Sequence, residues 1–224
     1  MQRLLTLLAA TALLAACTTN DPTTASSAPA APPASTAQDT PSTTSTAPAA
    51  PATNDKPADT PADDPGLAIR YNWGVPTEEV TVADRVSVPP VPVLVEVKAG
   101  DHTADGYERV TFAFRGANFP GYRFHYVKQV VQDGSGDPVH LPGRGYFQIV
   151  FNPASAHDDA GKATVPIGLQ RPGFRQLSGY QLAGDYEAYV TYGFGFAASR
   201  PQVRIGERKR PDGTYVVAVD VRRA

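Results

Sequence analysis

Thiol is all but missing from this chain: Cys17 is the only cysteine among 224 residues. No internal disulfide can form, so the folded part depends on its apolar core. The same count excludes redox-pair, thiolate-nucleophile and cysteine–zinc chemistry. The apolar and small-residue run over 4–16 is too short for the roughly 20 residues with which a helix crosses a bilayer. Leu, Ile, Val, Phe, Tyr and Trp are absent from 18–66, which holds ten prolines and six aspartates against Lys56 alone. Such a segment cannot bury enough apolar surface to offset the entropy of ordering it. A strong positive balance is missing as well: from residue 67 onward eighteen Lys and Arg stand against sixteen Asp and Glu. No basic stripe marks a nucleic-acid partner.

What precedes the cysteine is informative. Met1-Gln2-Arg3, the apolar run, and Leu14-Ala15-Ala16 directly before Cys17 have the layout of a secretory signal peptide over 1–16. A cysteine at that cut matches bacterial lipoprotein signals, in which the thiol is acylated and becomes the new N-terminus. The expected location is the extracytoplasmic face of the cell membrane, held by lipid, because two acyl chains anchor stably where one does not. Residues 17–66 then read as the lipidated cysteine followed by a disordered Pro/Thr/Ala-rich linker. As a flexible coil its 49 residues after Cys17 would average about 35–42 Å end to end. Fully extended as polyproline II they would reach about 150 Å.

Residues 67–224 suit one domain with a sizeable core. Period-2 patterning dominates it. Val91, Val93, Val95 and Val97 alternate with other residues, as do Val110, Phe112 and Phe114, and Phe147, Ile149 and Phe151, as strands with two unlike faces require. Further strands are predicted over 122–132, 174–182, 186–194, 202–207 and 215–221. Turn chemistry separates them at 104–106, 119–121, 133–136, 183–185 and 211–213. Short strands at this spacing predict an all-β fold, a small β-sandwich. Residues 67–94 read as an irregular lead-in that packs Trp73 onto the sandwich of 95–224. Asn152 and Pro153 predict a single helical turn within 152–160, as N-cap and first helical residue.

Several segments carry a resemblance. Glu108-Arg109-Val110-Thr111-Phe112-Ala113-Phe114-Arg115-Gly116 is followed by Pro120-Gly121-Tyr122-Arg123-Phe124-His125-Tyr126-Val127. Then come Phe151-Asn152-Pro153-Ala154-Ser155-Ala156-His157-Asp158, Leu182-Ala183-Gly184-Asp185-Tyr186-Glu187 and Val217-Ala218-Val219-Asp220-Val221. In this order they resemble the AMIN-like domain of actinobacterial lipoproteins, over about 95–224. The resemblance implies a small β-sandwich that helps place its host at the cell wall, and it brings no catalytic residues with it. The chain departs from the expected pattern at Arg208-Lys209-Arg210, before the last turn.

Chemistry-bearing motifs are sparse. His102, His125, His140 and His157 show no paired zinc spacing. A His157-Asp158-Asp159 loop reads as solvated turn rather than metal site. Asp133-Gly134-Ser135-Gly136-Asp137 opens like a calcium loop, but Arg144 stands where the closing glutamate belongs. No G-x-S-x-G elbow occurs, and Gly193-Phe194-Gly195 lacks the third glycine of a dinucleotide fingerprint. No cofactor, metal or catalytic group is implied. The candidate binding surface is Arg115, Tyr122, Arg123, Tyr126, Arg175 and Tyr180, whose aromatic faces and guanidinium groups suit sugar rings and stem-peptide carboxylates. The expectation is a non-catalytic module that binds cell-wall glycan or peptidoglycan, or another envelope protein. The alternatives are a carrier with a small-ligand pocket between its sheets and, less favoured, a wall hydrolase with paired carboxylates.

Overall fold

Alternation becomes two layers of strand. In a computed structural model the protein is described over residues 66–223; Cys17, the signal peptide expected over 1–16 and all but the last residue of the linker expected over 17–66 lie outside the described residues. The strands are β1 (Ala68–Gly74), β2 (Val80–Val82), β3 (Val93–His102), β4 (Tyr107–Arg115), β5 (Gly121–Val127), β6 (Gly145–Asn152), β7 (Leu177–Tyr186), β8 (Tyr189–Phe196), β9 (Val203–Lys209) and β10 (Tyr215–Arg222). One sheet has the order β1-β9-β10-β4-β3 and the other β2-β5-β6-β8-β7, with every pairing antiparallel. The all-β sandwich predicted from the patterning is the fold observed.

The core lies between the sheets and is aromatic. Phe112 and Phe114 of the first sheet meet Phe151, Tyr192 and Phe194 of the second, with ring centroids 4.9–6.1 Å apart. Edge-to-face pairs of this kind contribute about 0.5–1.5 kcal/mol beyond their burial. These rings occupy the space where the carrier alternative would place its ligand.

Of three buried carboxylates, Glu108 and Glu207 tie the two layers together and Asp220 ties strands within the first sheet. Glu108 accepts backbone N–H groups from Arg175, Gln176 and Leu177 at 2.6–3.0 Å, tying β4 to the entry of β7 across the sandwich. Glu207 on β9 accepts from Arg70 at 2.6 Å, Arg85 at 2.5 Å and the Tyr122 hydroxyl at 3.0 Å. Burial, and then the Glu207 charge, push the Tyr122 hydroxyl well above its usual range. On the outer face of the first sheet, Asp220 accepts from Arg109 at 2.5 Å and Arg204 at 2.8 Å. Over this triad sits Trp73, its ring 4.8 Å from the Arg204 guanidinium carbon and 6.3 Å from Tyr107.

Three sequence expectations are corrected. The lead-in 67–94 is not irregular: β1 and β2 are edge strands of opposite sheets, and Tyr71 packs edge-on against Phe124 at 5.3 Å. Register shifts interrupt β1 and β2 has only three residues, so neither carries a sustained period. No helical turn forms at 152–160. Asn152 stays in β6 opposite Gly121 and spends its side-chain amide on the Ala188 carbonyl at 3.0 Å, not on capping. Residues 183–185 lie inside β7, where the ladder shifts register between Leu182 and Gly184. The turn falls instead at Glu187-Ala188.

Candidate binding surface

In the second sheet the odd-numbered residues of β6, Phe147, Ile149 and Phe151, enter the core, so Tyr146, Gln148 and Val150 face outward. By the same rule β5 presents Arg123 and His125, and β8 presents Thr191, Gly193 and Gly195. The glycines have a steric reason. A Cβ on Gly195 would stand 1.9 Å from the Pro142 carbonyl oxygen, and one on Gly193 would stand 2.7 Å from Val130. Segment 128–144 lies flat on this face because side chains are missing beneath it. With Ala183 of β7 its Val130, Val139 and Leu141 make a second, small core. Further anchors are the Val139 N–H donating to Val130 O at 2.9 Å and the Thr191 hydroxyl donating to Asp133 at 2.6 Å.

Beside this segment a concavity of about 240 Å³ is lined by Arg123, Asp133, Gln148, Tyr186, Tyr189 and Thr191, among others. Tyr186 and Tyr189 are directly opposed across the β7–β8 hairpin and are 66 % and 40 % exposed. The two residues between them, Glu187 and Ala188, have φ of 49° and 63°. Left-handed backbone at both positions of a two-residue loop is the hairpin geometry that matches strand twist, and it favours Asn-Gly. Here it is held by the Ala188 carbonyl, which accepts from the Ala154 N–H at 2.9 Å and from Asn152 at 3.0 Å. The unfavourable backbone is local, and the hairpin it closes sets the two tyrosines at directly opposed positions. The Arg123 guanidinium carbon stands 5.6 Å from the Tyr189 ring centre, with its Nε 3.3 Å from Glu79. Flat apolar faces flanked by amide, hydroxyl and guanidinium groups can hold a sugar ring by stacking and orient its hydroxyls by hydrogen bonds.

The sequence-derived surface is divided by the fold. Tyr122, Tyr126 and Tyr180 are buried in the core between the sheets. Their positions alternate with Arg123, His125 and Gln181, so they share the phase of Phe124 and Leu182 and point inward. The Tyr126 hydroxyl donates to the Pro201 carbonyl. Arg115 ends β4 in the first sheet and Arg175 precedes β7; both are exposed, and neither borders the concavity. Only Arg123 does. Missed were Tyr186, Tyr189 and Gln148, although Gln148 was legible as the outward position between Phe147 and Ile149.

A wider groove of about 710 Å³ runs past Val93, Ser155, His157 and Asp158. There His157 Nδ1 lies 2.6 Å from Asp185. The Ser155 hydroxyl donates to the His157 carbonyl at 2.9 Å and accepts the His157 N–H at 3.2 Å, so it is engaged by main chain rather than by the imidazole. Asp158 accepts the N–H groups of Ala160 and Lys162 at 3.0 and 2.9 Å, closing a turn. Among the described residues no group of three His, Cys, Asp or Glu side chains is placed to hold a metal ion.

A family model described as the AMIN-like domain matches residues 92–223. No curated protein and no solved structure shows a match to the chain.

Proposed function

This chain belongs to the AMIN-like domain family, and from that premise we propose that it is a lipid-anchored lipoprotein whose sandwich binds peptidoglycan glycan through the tyrosine-lined concavity. AMIN-like domains are extracytoplasmic, envelope-associated modules and in general non-catalytic. The observation that carries the finer reading is the exposed, directly opposed pair Tyr186 and Tyr189 beside Arg123 and Gln148. Two adjacent exposed aromatic faces offer a surface on which a ring with an apolar face can stack. A sugar ring covers them without requiring any buried charge.

Co-sedimentation of the purified protein with peptidoglycan sacculi tests this. Stacking contributes about 1 kcal/mol per ring, so Tyr186→Ala with Tyr189→Ala is expected to weaken retention about 30-fold, at roughly 1.4 kcal/mol per factor of ten. Tyr180→Phe, a change inside the core, leaves it as it was. Equal retention by the double variant and the parent would overturn the proposal. The anchor is tested separately: Cys17→Ser is expected to abolish incorporation of a fatty-acid probe and to release the protein from the membrane fraction. Labelling that persists in Cys17→Ser would rule out acylation at this residue.

A further inference from the structure

Segment 128–144 also borders a second concavity on the same sheet face. Tyr146, two positions before Gln148 on β6, lines this one, with a volume of about 390 Å³; that falls within the 300–1,000 Å³ typical of small-ligand sites. Its apolar part is Val139 and Leu141, which are buried in the second, small core and so form a firm floor. Around that floor stand Lys128, His140 and Arg171, and no carboxylate lines the cavity. Among the described residues Lys128 and Arg171 have no carboxylate partner, whereas Arg109, Arg204, Arg210 and Arg223 each meet one.

We propose that this cavity binds a phosphate monoester carried on a small organic body. Charge decides the class. Lys128 and Arg171 supply two positive charges, and His140 adds a third nitrogen. A phosphate monoester carries about −1.5 to −2 at pH 7 and matches them, while a carboxylate leaves one cation unanswered. Three separated donors suit a tetrahedral oxyanion with three terminal oxygens better than a planar carboxylate. The apolar floor takes the carrier's carbon skeleton. The ester's source is either a soluble or polymeric envelope phosphate or the headgroup of a lipid, and the chemistry of recognition is the same for both.

The test is calorimetric titration of the purified protein, at low salt, with glycerol 3-phosphate, and with glycerol and acetate as comparators. Binding of the phosphate ester alone is expected. Lys128→Ala with Arg171→Ala should weaken it at least tenfold, and Lys162→Ala, on a distant loop, should not change it. Circular dichroism confirms that each variant is folded. Retention on phosphatidylcholine vesicles containing phosphatidic acid, lost in the same double variant, supports the site and assigns a lipid source. Binding of glycerol 3-phosphate without vesicle retention supports it and assigns a soluble one. No binding of the ester, acetate binding as tightly, or equal binding by the double variant would overturn the proposal. Sacculus retention is read independently, so failure here leaves the glycan reading standing.

Discussion

Asp220→Ala is expected to destabilise the domain by about 3–5 kcal/mol. Asp220 and Arg204 are both 0 % exposed and Arg109 is 5 % exposed. The carboxylate is therefore a shared counter-charge of two guanidinium groups that are almost wholly out of water. Removing it leaves both in a low-dielectric setting, and that penalty exceeds what the pairs contribute when intact. For a domain of this size each kcal/mol lowers Tm by about 2–4 °C, so a fall of about 6–20 °C should be seen. Trp73 is the only tryptophan and lies over Arg204, so its fluorescence reports urea unfolding directly from the affected site. A second variant, with Arg109→Met, Arg204→Met and Asp220→Leu together, removes the charges as a set and should lie much closer to the parent. If Asp220→Ala costs less than 1 kcal/mol, the triad is not a buried charge cluster.

Gly195→Ala is the next largest. A single methyl group there would meet the Pro142 carbonyl oxygen at 1.9 Å and Leu141 Cβ at 3.2 Å. Main chain cannot rotate away as a flexible side chain would, so segment 128–144 must lift from the sheet. Overpacking of this kind costs about 1–3 kcal/mol, and the loosened segment should become the first site of proteolytic cleavage. Gly168→Ala is the matched control: nothing lies within 4 Å of its added Cβ, and the change should be neutral or slightly stabilising. Equal thermal shifts in the two variants would show that the segment does not rest on the glycines.

Gly193-Phe194-Gly195 shows how far the sequence could be read. The sequence refuses it as a nucleotide motif, and the structure places it inside β8 with Phe194 in the core. What no local pattern carried was the partner, a loop about fifty residues earlier that needs the missing side chains. The same holds for Glu108, which stands in phase with Val110 and Phe112. Its acceptance of three amides depends on the chain returning at 175–177. Strands β6 and β10 were legible because one face is continuously apolar, and β4 and β9 because a single glutamate, Glu108 or Glu207, interrupts an otherwise apolar row. Edge strands β1 and β2 were obscured by irregular register and by length.

The division of the candidate surface between core and solvent has a more specific reason. Tyr122, Tyr126 and Tyr180 were grouped with arginines by residue chemistry, although alternation puts Tyr122 and Arg123 on opposite faces. Had phase been given priority over residue type, the tyrosines would have gone to the core with Phe124. Tyr186 and Tyr189 could not be paired from the sequence, because Glu-Ala is an unfavourable dipeptide for a left-handed turn and Ala183-Gly184-Asp185 offers better turn chemistry nearby. The tertiary hydrogen bonds at Ala188 decide between them.

The glycan reading rests most directly on where a ligand touches the sandwich. Amide nitrogen–proton NMR spectra of the isotope-labelled protein, titrated with a soluble peptidoglycan fragment, answer this. The account predicts saturable shifts confined to Arg123, Gln148 and the stretch from Tyr186 to Thr191. Shifts centred on the outer face of the other sheet around Trp73, or none anywhere, would contradict it.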